Sequence, residues 1–310
     1  MSRVIKVCCL YIILTILHII LMHSNRRPVR VHIYIRTNPA AVEAELRSAA
    51  RLTWIPEALS LNFGYNFVSG VVQNQSLMNV LWKEQEEYKD MLIFEELLES
   101  WYILSVKLML TLRHHIATYT DDVYMFIVDV DAAVFPKNLL RFMHKHIRLM
   151  ERNRNIIGLC SCKVALGHAM RVLCSLLNIS PGVGVSRNKS SHLYISEKAW
   201  PLDHYSDYCD GFVSLYSRGT PKLILNHLEK LSSNVVYPII DDKLLGFIAH
   251  AEGIRLNGFN TLFNQRNVPT SLINTLHRCS RTAAQCVAFH THGLLDNRLV
   301  WQRYRLNNAV

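Results

Sequence analysis

Apolar and polar positions along the chain change rhythm at recognisable points, and those points divide it into elements. Val29 to Ile35 is a β-branched run and reads as a strand. Pro39 to Leu52 reads as a helix opened by Asn38 as its cap, and Phe63 to Val72 as a second strand. Leu77 to Tyr88 and Leu97 to Ala117 read as helices, and Val123 to Val128 is an apolar run that ends in an acidic turn. Strand and helix in alternation predict an α/β fold, a mainly parallel sheet with helices on both faces, whose ligands gather beyond the carboxyl ends of the strands.

The second half is less regular. Pro136 to Met150 reads as one helix and Ile156 to Cys160 as a short strand, while Leu166 to Lys198, with Pro181, Gly182 and Gly184, reads as an irregular insertion. A further helix follows Thr220-Pro221, and another runs from about Asp242 to Glu252. No repeat and no linker interrupts the pattern, so a single domain is expected from residue 29 to residue 310.

The first residues follow a different pattern. After Arg3 and Lys6, Val7 to Met22 is uncharged and apolar, and Arg26 and Arg27 follow it. Sixteen residues make a helix of about 24 Å, slightly short of a full bilayer span, which fits an uncleaved signal anchor, the core of a cleaved signal peptide or a buried helix. No small-x-small cleavage site follows, which favours the anchor. Basic residues on both flanks leave the orientation open. The expected arrangement is a cytosolic tail over 1–6, a transmembrane anchor over 7–22, a minimal stem over 23–28 and a lumenal body.

Composition narrows the class. With 50% hydrophobic and 19% charged residues in 310, the chain is globular rather than disordered. The net charge of +10 comes from 34 Lys and Arg spread along the whole sequence, which argues against nucleic acid and suits anionic small molecules or a membrane face. Beyond Cys8 and Cys9, six cysteines remain (Cys160, Cys162, Cys174, Cys209, Cys279 and Cys286), an even number that agrees with an oxidising compartment but does not reveal a pairing. Asn74-Gln75-Ser76 and Asn188-Lys189-Ser190 are N-glycosylation acceptors.

The sharpest chemical pattern is Asp129-Val130-Asp131 at the end of the apolar run. Residues i and i+2 of an extended segment point to one side, so both carboxylates can face one hard cation, of the kind completed by a nucleotide diphosphate.

The chain resembles the β-1,3-galactosyltransferase-like glycosyltransferase family from about Val31 to Trp301. The resemblance rests on ordered blocks: Arg47 to Trp54 as Arg-x-x-x-Arg-x-Thr-Trp, Phe67 to Gly70, Glu84 to Leu92, Glu99 to Lys107, Asp129 to Leu140, Tyr205 to Gly211, and Ile240 to Gly246. It implies a single nucleotide-sugar-binding domain of the A type in a type II Golgi membrane protein. The enzyme implied is an inverting hexosyltransferase that moves a galactose- or N-acetylglucosamine-type sugar from a UDP-sugar to a glycan acceptor in a β-1,3 linkage, with Mn2+. By the same resemblance Asp131, Asp129 and His290 are candidate metal ligands, with His290 preferred over His292. Asp129 is a candidate donor contact, and Arg51 and Trp54 either contact the donor base or merely close the first helix. Asp242 is the candidate general base, with Asp241 as substitute and a helix cap as the structural alternative for Asp242. Departures at Ile103, Ile127, Val130, Ala133 and Asp241 to Lys243 mark a divergent member, and leave a catalytically silent glycan-binding relative as the alternative.

Overall fold

The computed structural model describes residues 29–152, 154–161, 184–191, 193–231, 240–259, 262–265, 286–291, 298 and 301–302. The apolar run over 7–22 lies outside them, and among the described residues no helix is long and apolar enough to cross a membrane.

Seven strands form the main sheet: β1 (Arg30–Arg36), β2 (Gly64–Val71), β3 (Met91–Leu98), β4 (Val123–Asp129), β6 (Asn155–Ser161), β7 (Tyr208–Tyr216) and β8 (Arg255–Gly258), in the order β3-β2-β1-β4-β7-β6-β8. The first four run parallel, β7 is antiparallel to both β4 and β6, and β8 is parallel to β6. The sheet is therefore mixed and mostly parallel. A small second sheet carries β5 (Ala132–Val134), β10 (Ala288–His290) and β9 (Phe263–Gln265), in that spatial order.

Helices cover both faces. Alternation along β1 sends Val31, Ile33 and Ile35 to one core, where α1 (Ala41–Leu52), α2 (Ile55–Ser60), α3 (Gln75–Tyr88) and α5 (Pro136–Lys145) pack. Tyr34 goes to the other core with Met125 and Ile127 of β4, under α4 (Leu104–Thr118), α7 (Thr220–Leu228) and α8 (Asp241–Ala251). Gly246 lets α8 approach closely, because a Cβ there would stand 2.5 Å from the Asp207 carbonyl oxygen. A disulfide joins Cys160 of β6 to Cys209, its register partner on β7.

Several sequence expectations change. Asn38 does not cap α1: the helix begins at Ala41, and Asn38 is held in the preceding loop by Glu43, which accepts from its backbone N–H at 2.6 Å. Residues 91–96, left unassigned by the sequence pattern, and 97–98, expected as the start of a helix, form β3, since Met91, Phe94 and Leu97 have core places beside β2. The helix expected over 136–150 breaks at His146 into α5 and α6 (Ile147–Glu151).

Candidate active site

The strand order reverses between β1 and β4, the place where an α/β sheet opens a crevice at its carboxyl edge. Register pairs Arg36, the last residue of β1, with Asp129, the last of β4. Around them lies a cleft of about 950 Å³ lined by Thr37, Glu99, Lys107, Asp129, Asp131, Asp241, Asp242, Lys243 and His290, among others.

Two carboxylates and one imidazole meet in this cleft. Asp129 ends β4, Asp131 stands two residues on, and β10 brings His290 to them by pairing antiparallel with β5. The Thr291 backbone N–H donates to the Asp131 carbonyl at 3.1 Å, which fixes the end of β10 against the acidic turn. His290 Nε2 then lies 3.1 Å from Asp131 Oδ2, and the imidazole stacks on Phe212 with ring centroids 4.9 Å apart. One ligand atom from each of Asp129, Asp131 and His290 falls within 4.8 Å of the others, so this group can hold a metal ion. Carboxylate oxygens with an imidazole nitrogen form a donor set that suits a divalent ion such as Mn2+. His292 lies outside the described residues.

Arg36 carries no motif in the sequence, yet it joins the elements of the site. Its Nε donates to Asp129 Oδ1 at 2.8 Å, and its other nitrogens donate to the Asp241 carboxylate and the Gly211 carbonyl. Burial opposes its charge, but Asp129 and Asp241 more than offset this and raise its pKa. The Asp129 carboxyl is pushed up from the usual range chiefly by burial, with Arg36 opposing and Asp131 adding to the rise.

Asp241 and Asp242 occupy the first turn of α8, whose N-cap is Ile240, so the cap role considered for Asp242 falls to another residue. Asp241 is tied to Arg36. Asp242 faces a different cation: its Oδ2 lies 2.8 Å from Lys243 Nζ, and its Oδ1 accepts from the Lys243 backbone N–H at 2.7 Å. Burial raises the Asp242 pKa, Lys243 opposes, and Asp241 adds to the rise. Lys243 also lies over the Tyr208 ring, 3.9 Å from its centroid.

Arg51 and Trp54 stand apart from the cleft. Trp54 is fully buried in the core. Arg51 binds Asp90 through two bonds of 2.8 Å and Glu84 at 2.7 Å, while Arg47 binds Glu84 through bonds of 2.8 and 2.6 Å. Arg47 also donates to the Asn38 carbonyl at 2.8 Å. Arg47, Arg51, Glu84 and Asp90 thus form one ionic brace from α1 to α3 and the start of β3, behind the loop that lines the cleft. Lys107, from the other wall, donates to the Thr37 carbonyl at 2.8 Å and pairs with Glu99 at 2.5 Å.

The departures from the family pattern are mostly core positions. Ile127, Val130 and Ala133 are all buried and apolar, and Val130 alone among them touches the cleft.

A family model for galactosyltransferases matches residues 45–259. No curated protein matches the chain. Solved structures that match include mouse xyloside xylosyltransferase 1 in its apo form, at 10% identity over 84% of this chain and 97% of that chain, with a TM-score of 0.37. The galactosyltransferase LgtC in complex with donor and acceptor sugar analogues matches at 14% identity over 84% and 86%, with a TM-score of 0.41. A mannosyltransferase from Pyrobaculum calidifontis in complex with GDP-Man and Mn2+ matches at 13% identity over 92% and 75%, with a TM-score of 0.40.

Proposed function

Because the chain belongs to the galactosyltransferase family and is a glycosyltransferase, we propose that it moves a galactose- or N-acetylglucosamine-type sugar from a UDP-sugar to a glycan hydroxyl with inversion, forming a β-1,3 linkage. The observation that carries this reading is the meeting of Asp129, Asp131 and His290 in the same cleft as Asp242, at the carboxyl edge where β1 and β4 part.

Asp129, Asp131 and His290 are the residues that would hold Mn2+. When bound, the ion supplies positive charge that offsets the charge growing on the departing diphosphate. Arg36 holds Asp129 in place and keeps the α8 terminus against it through Asp241. That engagement supports Asp242 over Asp241 as the base. Asp242 takes the proton of the acceptor hydroxyl as the hydroxyl oxygen attacks the anomeric carbon, and its raised pKa makes it a better proton acceptor than an ordinary aspartate. Lys243 holds the Asp242 carboxylate until the hydroxyl arrives. An A-type nucleotide-sugar fold, a type II anchor over 7–22 and a Golgi lumenal location complete the proposal, supported by the family and by the apolar run.

UDP release from a panel of UDP-sugars, with and without Mn2+, tests it. Turnover of at least one donor that depends on Mn2+ is expected. Glycan binding without UDP release from any donor would replace the transferase with the catalytically silent relative.

A further inference from the structure

Taking Asp242 as the base of the proposed transferase, we propose that Lys243 makes the cleft selective for acceptors that carry a carboxylate beside the reacting hydroxyl, as a uronic acid does.

Lys243 stands where the chain departs from the family blocks, and its helix gives no reason for a cation there. It lies in the first turn of α8, where unsatisfied backbone N–H groups favour acids and disfavour a positive charge. Its side chain is 14% exposed and lines the cleft with that of Asp242, which is 11% exposed. Both oxygens of Asp242 are committed to this one residue: Oδ2 lies 2.8 Å from Nζ, and Oδ1 accepts from the backbone N–H at 2.7 Å. The Tyr208 ring backs the ammonium at 3.9 Å from its centroid, which holds the charge at the base instead of letting it swing into solvent. Arg36, the neighbouring cation of the cleft, is already occupied by Asp129, Asp241 and the Gly211 carbonyl.

Charge balance then selects the acceptor. In the transfer the acceptor oxygen bonds to the anomeric carbon, the bond from that carbon to the diphosphate breaks with its electron pair leaving on the diphosphate, and the hydroxyl proton passes to Asp242. Asp242 becomes neutral. Lys243 thereby loses its counter-charge in a mostly buried place, where an unpaired ammonium is costly. An acceptor carboxylate that binds Lys243 as the hydroxyl meets Asp242 restores the pair, one carboxylate taking over from another. Contacts of about 2.8 Å at each end of this pair put the hydroxyl and the carboxylate within roughly 8 Å of each other, the span of one sugar ring. Asp210 lines the same cleft and is the rival partner for the ammonium.

UDP release with the UDP-sugar panel and Mn2+ tests the proposal on matched acceptors, p-nitrophenyl glucoside and galactoside against the corresponding glucuronide and galacturonide. The uronide of at least one pair should be the better acceptor by about tenfold or more in kcat/KM. Lys243→Met should bring that ratio close to one, and Lys243→Arg should retain most of it. The ratio is the readout because a loss of folded protein lowers both members of a pair alike. Neutral acceptors used as well as the uronides by the unaltered chain would overturn the selectivity, with Asp210 as the counter-ion, and leave the transferase standing. A uronide preference that survives Lys243→Met would overturn the role of Lys243 in the same way. No UDP release from any donor with any acceptor would overturn the transferase and the selectivity together.

Discussion

Asp131 and Asp242 belong to one cleft but have different proposed tasks, so their variants should fail differently. Asp131→Ala removes a carboxylate that stands beside both Asp129 and His290, and should abolish Mn2+-dependent UDP binding in calorimetry while the fold persists. Asp242→Asn keeps the shape of the side chain and loses the base. With an accepted donor, kcat should fall by a factor on the order of 10² to 10⁴ and donor affinity should stay nearly constant. Unchanged UDP affinity in Asp131→Ala would remove the metal site, and a fully active Asp242→Asn would move the base to Asp241. The acidic triplet was legible because an apolar strand leads into it. Arg36 was not, because an arginine at the end of a β-branched run has no signature; only the parallel register of β1 and β4 gives it Asp129 as a partner.

The elements are braced by side chains whose loss should appear as stability rather than rate. Glu84 of α3 accepts from both Arg47 and Arg51 of α1, and only Arg51 has a second carboxylate partner, Asp90. Glu84→Ala should cost about 3–5 kcal/mol in a denaturant titration, since it leaves the buried Arg47 without its acid. Asn74 caps α3 by accepting from the Ser76 and Leu77 backbone N–H groups at 3.0 and 3.2 Å, and it also heads a glycosylation triplet. The two roles separate by substitution. Asn74→Ala should lose about 1 kcal/mol and any glycan, whereas Ser76→Ala should lose the glycan alone, as read by thermal melts and gel mobility. β3 escaped the sequence reading because its Met-Leu-Ile-Phe-Glu-Glu-Leu-Leu pattern also suits a helix, and pairing with β2 decided between them.

At the scale of the whole molecule, two histidines buried between β1 and α4 make stability depend on pH. Burial pushes both His32 and His115 down to about 4, far below the 6.5 of an exposed imidazole. The unfolded chain therefore binds more protons than the folded one between pH 6.5 and about 4. The stability tied to the neutral rings is complete above 6.5 and is lost as pH falls through that window. From pH 7 to pH 5 the loss should be on the order of 2 kcal/mol per histidine, read from urea midpoints. The double variant His32→Gln, His115→Gln should have the flatter dependence whatever its absolute stability. An identical slope in the variant would assign the effect elsewhere.

The sequence by itself determined the alternation that makes an α/β domain, the family blocks, and the Asp129 to Asp131 turn, because each of these is local in the chain and set by period, turn chemistry and spacing. It also pointed to His290 and Asp242 by their place relative to other blocks. Tertiary structure alone decided what those residues meet. His290 reaches Asp131 across 159 positions through the pairing of β10 with β5, Arg36 reaches Asp241 across 205, and Cys160 takes Cys209 as its register partner. It also put Arg51 and Trp54, which the motif left between a donor contact and the closing of the first helix, into an ionic brace and the core. The reason is physical: a motif records which residue types must be present, while burial and strand register set which of them face a ligand and which hold the frame.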